Sequence, residues 1–180
     1  MILEDSSTRE RLVSELNNLV TSRAMTIIFI SLACLLVCQI IKFVIASVKN
    51  KALEWYYFKT TGGFPSSHSG FVVCLTISLG MFQWHDLDRL DWSFAVAVVF
   101  SVIVLHDAMG VRLEASKHAK ILNNMTADLP IEEKKNLGFG QKGFLKEMLG
   151  HKGFEVLGGI LMGIIFAIAG FFIVIAVQPK

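Results

Sequence analysis

Four long apolar runs are the feature that most constrains this chain. They cover residues 24–48, 66–84, 92–111 and 154–178, and few charged residues interrupt them. Each run is close to the roughly 20 residues with which a helix crosses a bilayer, and none alternates between apolar and polar residues as barrel strands do. A chain of 180 residues, 53% of them hydrophobic, is too short to bury four such helices in protein alone. We therefore predict an all-α integral membrane four-helix bundle.

The N-terminal segment, residues 1–23, has a different pattern. Ser7 and Glu10 have the spacing of a capping box, in which two side chains satisfy backbone N–H groups at a helix start. Apolar residues then recur at helical spacing among polar ones: Leu12, Leu16 and Leu19. We predict a short amphipathic helix at the membrane interface, followed by a single membrane domain over residues 24–180.

Charged residues are distributed unevenly among the connections between the runs. The first connection and the long third one, residues 112–153, are rich in lysine, whereas the second contains Asp86, Asp88 and Asp91. Cytoplasmic loops carry an excess of Lys and Arg, so we predict that the lysine-rich face is cytoplasmic. The third connection is expected to be partly helical. The net charge of +2 lacks the basic excess of nucleic-acid-binding proteins, and no nucleic acid partner is expected.

The three cysteines, Cys34, Cys38 and Cys74, all lie inside apolar runs. No histidine or carboxylate accompanies them at the spacing of a metal site. We interpret them as small buried apolar residues, without a disulfide or a zinc site.

Helices that alternate in direction bring the ends of the first and third runs and the starts of the second and fourth to one membrane face. Polar residues at or next to these run ends are Lys42, Lys49, Ser66, Ser67, His68, His106, Asp107, Arg112, His151 and Glu155. The spacing of the runs therefore predicts a cluster of cations, hydroxyls and histidines at this face. We interpret Asp107 as an ion-pair partner of Lys42, Arg112 or Lys117.

This combination of residue types suits a phosphate group. Lys and Arg neutralise and hydrogen-bond phosphate oxygens, and a helix N-terminus adds backbone N–H donors. Two histidines can divide a phosphoryl transfer, since one attacks phosphorus while the other protonates the leaving oxygen. Glu155 follows His151 by one helical turn and can hold the second ring nitrogen. The sequence has no acidic cluster for a magnesium ion, so we expect metal-independent chemistry without a cofactor.

The motifs around these residues resemble those of the type 2 phosphatidic acid phosphatases (PAP2), which share a site with the vanadium-dependent haloperoxidases. The family motif Pro-Ser-Gly-His matches PSSH at residues 65–68, with Ser for Gly. The second half of its histidine motif matches His151 and Glu155, with Glu for Asp. The motif of Lys, six residues and Arg-Pro matches at Lys42 and Lys49, with Lys for Arg and Asn for Pro.

The chain is more closely similar to the small divergent branch of that superfamily. In that branch an arginine precedes the histidine by a long insertion, in a stretch like HDAMGVR at residues 106–112. The third connection of this chain corresponds to that insertion, so the resemblance extends over most of the chain from the first run onward.

The resemblance implies the core of the PAP2 and haloperoxidase fold and a phosphatase acting on a lipid phosphate or pyrophosphate, such as a phosphatidate or a polyprenyl phosphate. It implies that His151 forms a phosphohistidine, that Glu155 orients it, and that His68 protonates the leaving alcohol. It also implies the residues that hold the phosphate oxygens: Lys42, Lys49, Ser66, Ser67 and Arg112. The partners expected from it are the lipid substrate and the surrounding membrane lipids.

Each of these residues also has a structural interpretation. Lys42 and Lys49 can extend from a helix end to the interface, and the serines can cap the second helix. His151 can be an ordinary loop histidine. A non-catalytic protein that binds or transports lipid phosphates, or assists assembly, therefore stays open as an alternative.

Overall fold

The structure, a computed structural model, describes residues 6–53, 62–141, 143–145, 147 and 150–177. These residues form helices and connecting segments and contain no strand, which confirms the all-α fold. The helices are α1 (Ser6–Asn50), α2 (Ser67–Leu87), α3 (Trp92–Met109), α4 (Val111–Met125), α5 (Ile131–Asn136) and α6 (Gly153–Val177).

Helix α2 lies at the centre of the bundle. It packs against α1, α3 and α6, and its contact with α6 is the most extensive in the molecule. Its buried residues are small or polar for the most part and include Ser67, Ser69, Gly70, Cys74 and Ser78. The three thiols predicted to be buried lie together between α1 and α2, where Ala167 of α6 packs against them.

Among the described residues, three helical stretches are long and apolar enough to cross a membrane: Thr21–Asn50, Trp92–Met125 and Gly153–Val177, the second of which includes both α3 and α4. The second predicted span corresponds to α2, which is not apolar enough to be one of these stretches. The reason is its position, because a helix enclosed by three neighbours can carry serines, glycines and a glutamine instead of lipid-facing apolar residues. The outer helices do expose large apolar side chains, among them Phe29, Leu36, Phe100, Leu161 and Phe172.

Helix boundaries differ from the expected ones at two places. The predicted amphipathic helix is not separate, because α1 runs unbroken from Ser6 to Asn50 and this stretch contains neither Gly nor Pro. Residues 1–5 lie outside the described residues. The third helix ends at Met109, because Gly110 has a backbone conformation (φ −102°, ψ −94°) that interrupts the helix before α4 begins.

Glycines allow α6 to touch the backbone of α2. A Cβ atom at Gly159 would lie 2.3 Å from the carbonyl oxygen of Ser66, and one at Gly163 would lie 2.7 Å from that of Gly70. Ala167 continues this line and is fully buried. The small-residue stripe on α6 is therefore the surface by which the two helices approach each other.

Polar contacts join α2 to its other neighbours. Thr76 Oγ1 lies 2.7 Å from Ser101 Oγ of α3, and Ser101 Oγ donates to the carbonyl of Val72. At the far end of the bundle, Arg23 Nε donates to Asp86 at 3.0 Å and ties α1 to α2. Asp91 is the N-cap residue of α3, and its pKa is lowered by the hydrogen bond from the hydroxyl of Ser93.

Substitution of Gly159 by Ala tests the α2–α6 contact. The added methyl group would collide with backbone, so we expect Gly159→Ala to lower the free energy of unfolding by about 1–3 kcal/mol. The measurement is the thermal unfolding midpoint of the purified protein in detergent. Gly153→Ala is the matched control, since a Cβ there would meet no atom within 4 Å. Equal midpoints for the two variants would show that the close approach is not a source of stability.

Candidate active site

A small cleft lies where the start of α2, the end of α3 and the segment before α6 meet. His68, Asp107, Arg112 and His151 line it, together with the apolar residues Val104 and Ala108. Its volume is ≈ 20 Å³, which is room for about one water molecule. Residues far apart in the chain, including both predicted catalytic histidines, therefore share one cavity.

The start of α2 is fixed by its own serines and by α6. Ser66 is the N-cap residue, and its hydroxyl accepts hydrogen bonds from the backbone N–H and the hydroxyl of Ser69. The N–H of Ser66 donates to the carbonyl oxygen of Glu155 at 2.9 Å. Ser66 therefore has the capping role that its sequence context allows. Ser67 is also buried, but its hydroxyl has no hydrogen-bond partner among the described residues.

Lys42 is enclosed by protein and does not extend to the interface. Only 2% of its surface is exposed, and its Nζ has no hydrogen-bond partner among the described residues. Its methylene groups pack against Gly63, where a Cβ atom would lie 3.3 Å from Cγ and Cδ. Glu155 lies within electrostatic range of Lys42 and supplies negative charge to this buried cation. Lys42 does not itself line the cleft, but it lies within electrostatic range of His68, which does.

Lys49 occupies a different position from Lys42. It is exposed in the last turn of α1 and does not line the cleft. Seven residues along a helix correspond to about 10 Å, or two turns, so the two lysines lie on the same face of α1 but two turns apart along its axis. The structure does not bring Lys49 to the site.

His151 reaches the cleft because the long insertion folds back along α4. Its backbone N–H donates to the carbonyl of Ala108 at 3.1 Å, and a Cβ at Gly150 would lie 2.3 Å from Cα of Leu113. The returning segment is held by Asn123, whose side-chain amide bonds both the N–H and the carbonyl of Leu145, at 2.8 and 2.9 Å. These contacts place His151 beside Arg112, although 38 residues separate them in the sequence.

One nitrogen of the His151 ring has a hydrogen-bond partner, and the other has none among the described residues. Nδ1 lies 3.2 Å from Oε2 of Glu155, and the same oxygen accepts from the N–H of Lys152 at 3.1 Å. The backbone N–H of Gly63 also donates to this carboxylate. Nε2 is buried and has no partner among the described residues. A histidine held through Nδ1 in this way directs the electron pair of Nε2 toward the cleft.

His68 is exposed and lies in the first turn of α2, one residue after the helix begins. It lies within electrostatic range of Arg112, His151, Lys42 and Asp107. Of the charged and titratable groups that the sequence assigned to one membrane face, four line the cleft: His68, Asp107, Arg112 and His151. Lys42 and Glu155 interact with its two histidines, whereas Lys49 and His106 do not line it.

Arg112 and Asp107 form an ion pair across the break between α3 and α4, through Nε and Oδ2. The side chains are 48% and 38% exposed. Of the cations that the sequence offered as partners of Asp107, Arg112 forms the ion pair, whereas Lys117 pairs with Glu114. In the described part of the chain, no group of three or more His, Cys, Asp or Glu residues is placed to hold a metal ion.

Gly63 is a site residue that sequence reasoning missed. It packs on Lys42 and donates to the Glu155 carboxylate, and its φ of +101° favours glycine. The available signal was the Gly-Gly pair just before the PSSH motif.

Fold and cleft together define a helical membrane protein whose cleft contains two histidines and an ion pair of arginine and aspartate. The chain belongs to the divergent PAP2 family, whose family model matches residues 24–166 and so covers every predicted site residue. It is 37% identical over 144 residues to the uncharacterized membrane protein YuiD of Bacillus subtilis, an alignment that covers 77% of this chain and 89% of that protein. No solved structure matches the chain.

The hydrogen bonds between Asn123 and Leu145 can be tested separately from catalysis. Asn123→Ala removes the bonds to Leu145, a loss worth about 1–3 kcal/mol for such partly buried hydrogen bonds. We expect faster cleavage between residues 126 and 147 in limited proteolysis of the purified protein. The neighbouring Asn124→Ala is the control, because Asn124 is also on α4 and is exposed. Identical cleavage rates for the two variants would contradict the claim that Asn123 holds the returning segment.

Proposed function

We propose that this protein is a membrane phosphatase that hydrolyses a lipid phosphate or pyrophosphate through a phosphohistidine, without a metal ion. One observation carries the proposal: Lys42 Nζ, Ser67 Oγ and His151 Nε2 are buried around the start of α2 and lack hydrogen-bond partners among the described residues. Buried polar atoms in proteins are nearly always paired. The oxygens and phosphorus of a phosphate group would supply what these three atoms lack.

In the proposed first step, His151 Nε2 donates its electron pair to phosphorus, and the bond from phosphorus to the alcohol oxygen breaks. His68 gives its proton to the leaving oxygen. In the second step, water attacks the phosphohistidine and passes a proton to His68, which restores both rings and releases inorganic phosphate. Glu155 acts as a positioning residue, because it holds the imidazole through Nδ1 and stabilises the positive charge that forms on it.

Cations and backbone groups would stabilise the charge that develops on the phosphate oxygens. Lys42 and Arg112 would supply positive charge, and the N-terminus of α2 presents N–H groups and the favourable end of the helix dipole. Arg112 must turn from Asp107 to take part, and its half-exposed side chain is free to do so. Binding therefore requires the cleft to widen beyond the ≈ 20 Å³ of the unliganded protein.

The location of the cleft supports a lipid as the substrate. It lies at the start of α2 and the end of α3, within a bundle whose outer helices are long and apolar enough to cross a membrane. A phosphate group at the interface with its chain in the bilayer suits this position. The excess of lysine in the third connection supports placement of the site at the cytoplasmic face.

His151→Ala tests the nucleophile. Removal of the attacking atom should reduce phosphate release from phosphatidate or polyprenyl diphosphate by at least about 100-fold, with the purified protein in detergent. His118→Ala is the control, since His118 is exposed on α4 and does not line the cleft. A His151→Ala variant with the wild-type rate would rule out the mechanism.

His68→Ala tests the general acid through the leaving group. An alkyl phosphate needs a proton on its leaving oxygen, whereas a nitrophenyl phosphate leaves readily without one. We expect the variant to lose about 100-fold or more on the alkyl ester and far less on the nitrophenyl ester. Equal losses on both substrates would assign His68 to binding and not to proton transfer.

The second candidate is a protein that binds lipid phosphate without turnover. It is favoured by the ion pair of Arg112 with Asp107, which occupies the arginine, and by Lys49, which replaces an arginine of the family motif and lies outside the cleft. This candidate predicts binding of phosphatidate in vesicles that depends on Lys42 and Arg112, with no phosphate released.

A further inference from the structure

Asp107 lies in the cleft itself, which is an unexpected place for a carboxylate in a phosphate site. It lines the cavity with His68 and His151, and it holds the guanidinium of Arg112 through Nε. A purely structural ion pair on a helix surface would not need to face this cavity. Glu114 and Lys117, one turn further along α4, form such a surface pair.

The charges around the cleft are already balanced. The two permanent cations, Lys42 and Arg112, are matched by two carboxylates, Glu155 near the first and Asp107 on the second. Glu155 is committed to His151 and to backbone N–H groups, so it is not displaced by a ligand. Asp107 has only Arg112 as its hydrogen-bonded partner in the described part of the chain, so it is the carboxylate that an incoming anion must displace.

The pair is positioned so that Arg112 can be released without loss of the fold. Ala108 and Gly150 hold the break between α3 and α4 through backbone contacts, including the bond from His151 N–H to Ala108. The side chains of Arg112 and Asp107 are both more than one third exposed, and the bond from His151 to Ala108 involves neither of them. Rotation of Arg112 toward the cleft is therefore a local change.

We propose that Asp107 is a specificity-determining residue that competes with the phosphate group for Arg112 and selects against doubly charged phosphates. The inference rests on the proposed function, because it takes the cleft as the phosphate site. The physical reason is Coulomb's law: a carboxylate repels a dianion with twice the energy with which it repels a monoanion at the same place. Asp107 therefore lowers the affinity for a doubly charged phosphate group more than it lowers the affinity for a singly charged one.

The test compares two probes of similar shape at pH 8. Phenyl phosphate is a dianion, and methyl phenyl phosphate is a monoanion. Dissociation constants are measured by calorimetry for the wild-type protein and for Asp107→Asn, both purified in detergent. We expect Asp107→Asn to bind phenyl phosphate about tenfold more tightly and methyl phenyl phosphate about threefold more tightly, in keeping with the doubled charge.

Glu114→Gln is the matched control, since it removes a carboxylate from an ion pair on α4 that does not face the cleft. It should leave both dissociation constants within about twofold of the wild-type values. If Asp107→Asn fails to fold, as judged by thermal unfolding, Asp107→Ser gives the same comparison with a smaller neutral side chain.

Two outcomes separate failure of this inference from failure of the proposed function. If both probes bind the wild-type protein and Asp107→Asn changes neither constant, weakens binding, or changes both by the same factor, then Asp107 does not select by charge, and the phosphate site stands. If neither probe binds the wild-type protein or the neutral variants, then the cleft is not an oxyanion site, and both proposals are overturned.

Discussion

The backbone contact between α6 and the start of α2 is the constraint on which the rest of the structure depends. Because Gly159 has no side chain, α6 lies so close to α2 that a Cβ atom at this position would be 2.3 Å from the carbonyl oxygen of Ser66. At that distance the N–H of Ser66 reaches the carbonyl of Glu155. Glu155 therefore serves the fold with its backbone and the site with its carboxylate, which holds His151. A change in helix packing at this point would displace the imidazole from the N-terminus of α2.

The site concentrates groups that a protein interior usually avoids. Lys42 and His151 are each only 2% exposed, and each keeps a polar atom without a partner in the described part of the chain. Burial of an unpaired cation or imidazole costs several kcal/mol, and the tight contacts of α2 with α1 and α6 must offset that cost. Such an arrangement is expected where an anionic ligand completes the site, because the ligand supplies the missing partners when it binds.

The fold and part of the site follow from the sequence because they depend on short-range patterns. Hydropathy marks the helices, and alternation of direction brings their polar ends to one face, which is how His68 and His151 could be assigned to one site. Other features depend on contacts that leave no periodic trace in the sequence. The return of the insertion rests on side-chain to backbone bonds of Asn123, and the choice of Arg112 as the partner of Asp107 depends on the break at Gly110. Lys49 has the spacing of the family motif, but it lies two helical turns beyond Lys42 along α1 and does not line the cleft.

The central claim is that distant basic groups and two imidazoles form one pocket for a tetrahedral oxyanion. Vanadate is the most direct probe, because it adopts the geometry of a phosphoryl group in transfer and forms a bond to an attacking nitrogen. An experimental structure of the protein with vanadate should show the vanadium bonded to His151 Nε2, with Lys42 and Arg112 at its oxygens and His68 opposite the attacking nitrogen. Vanadate bound elsewhere, or two imidazoles too far apart to contact the same ion, would contradict the account and leave only a helical membrane bundle.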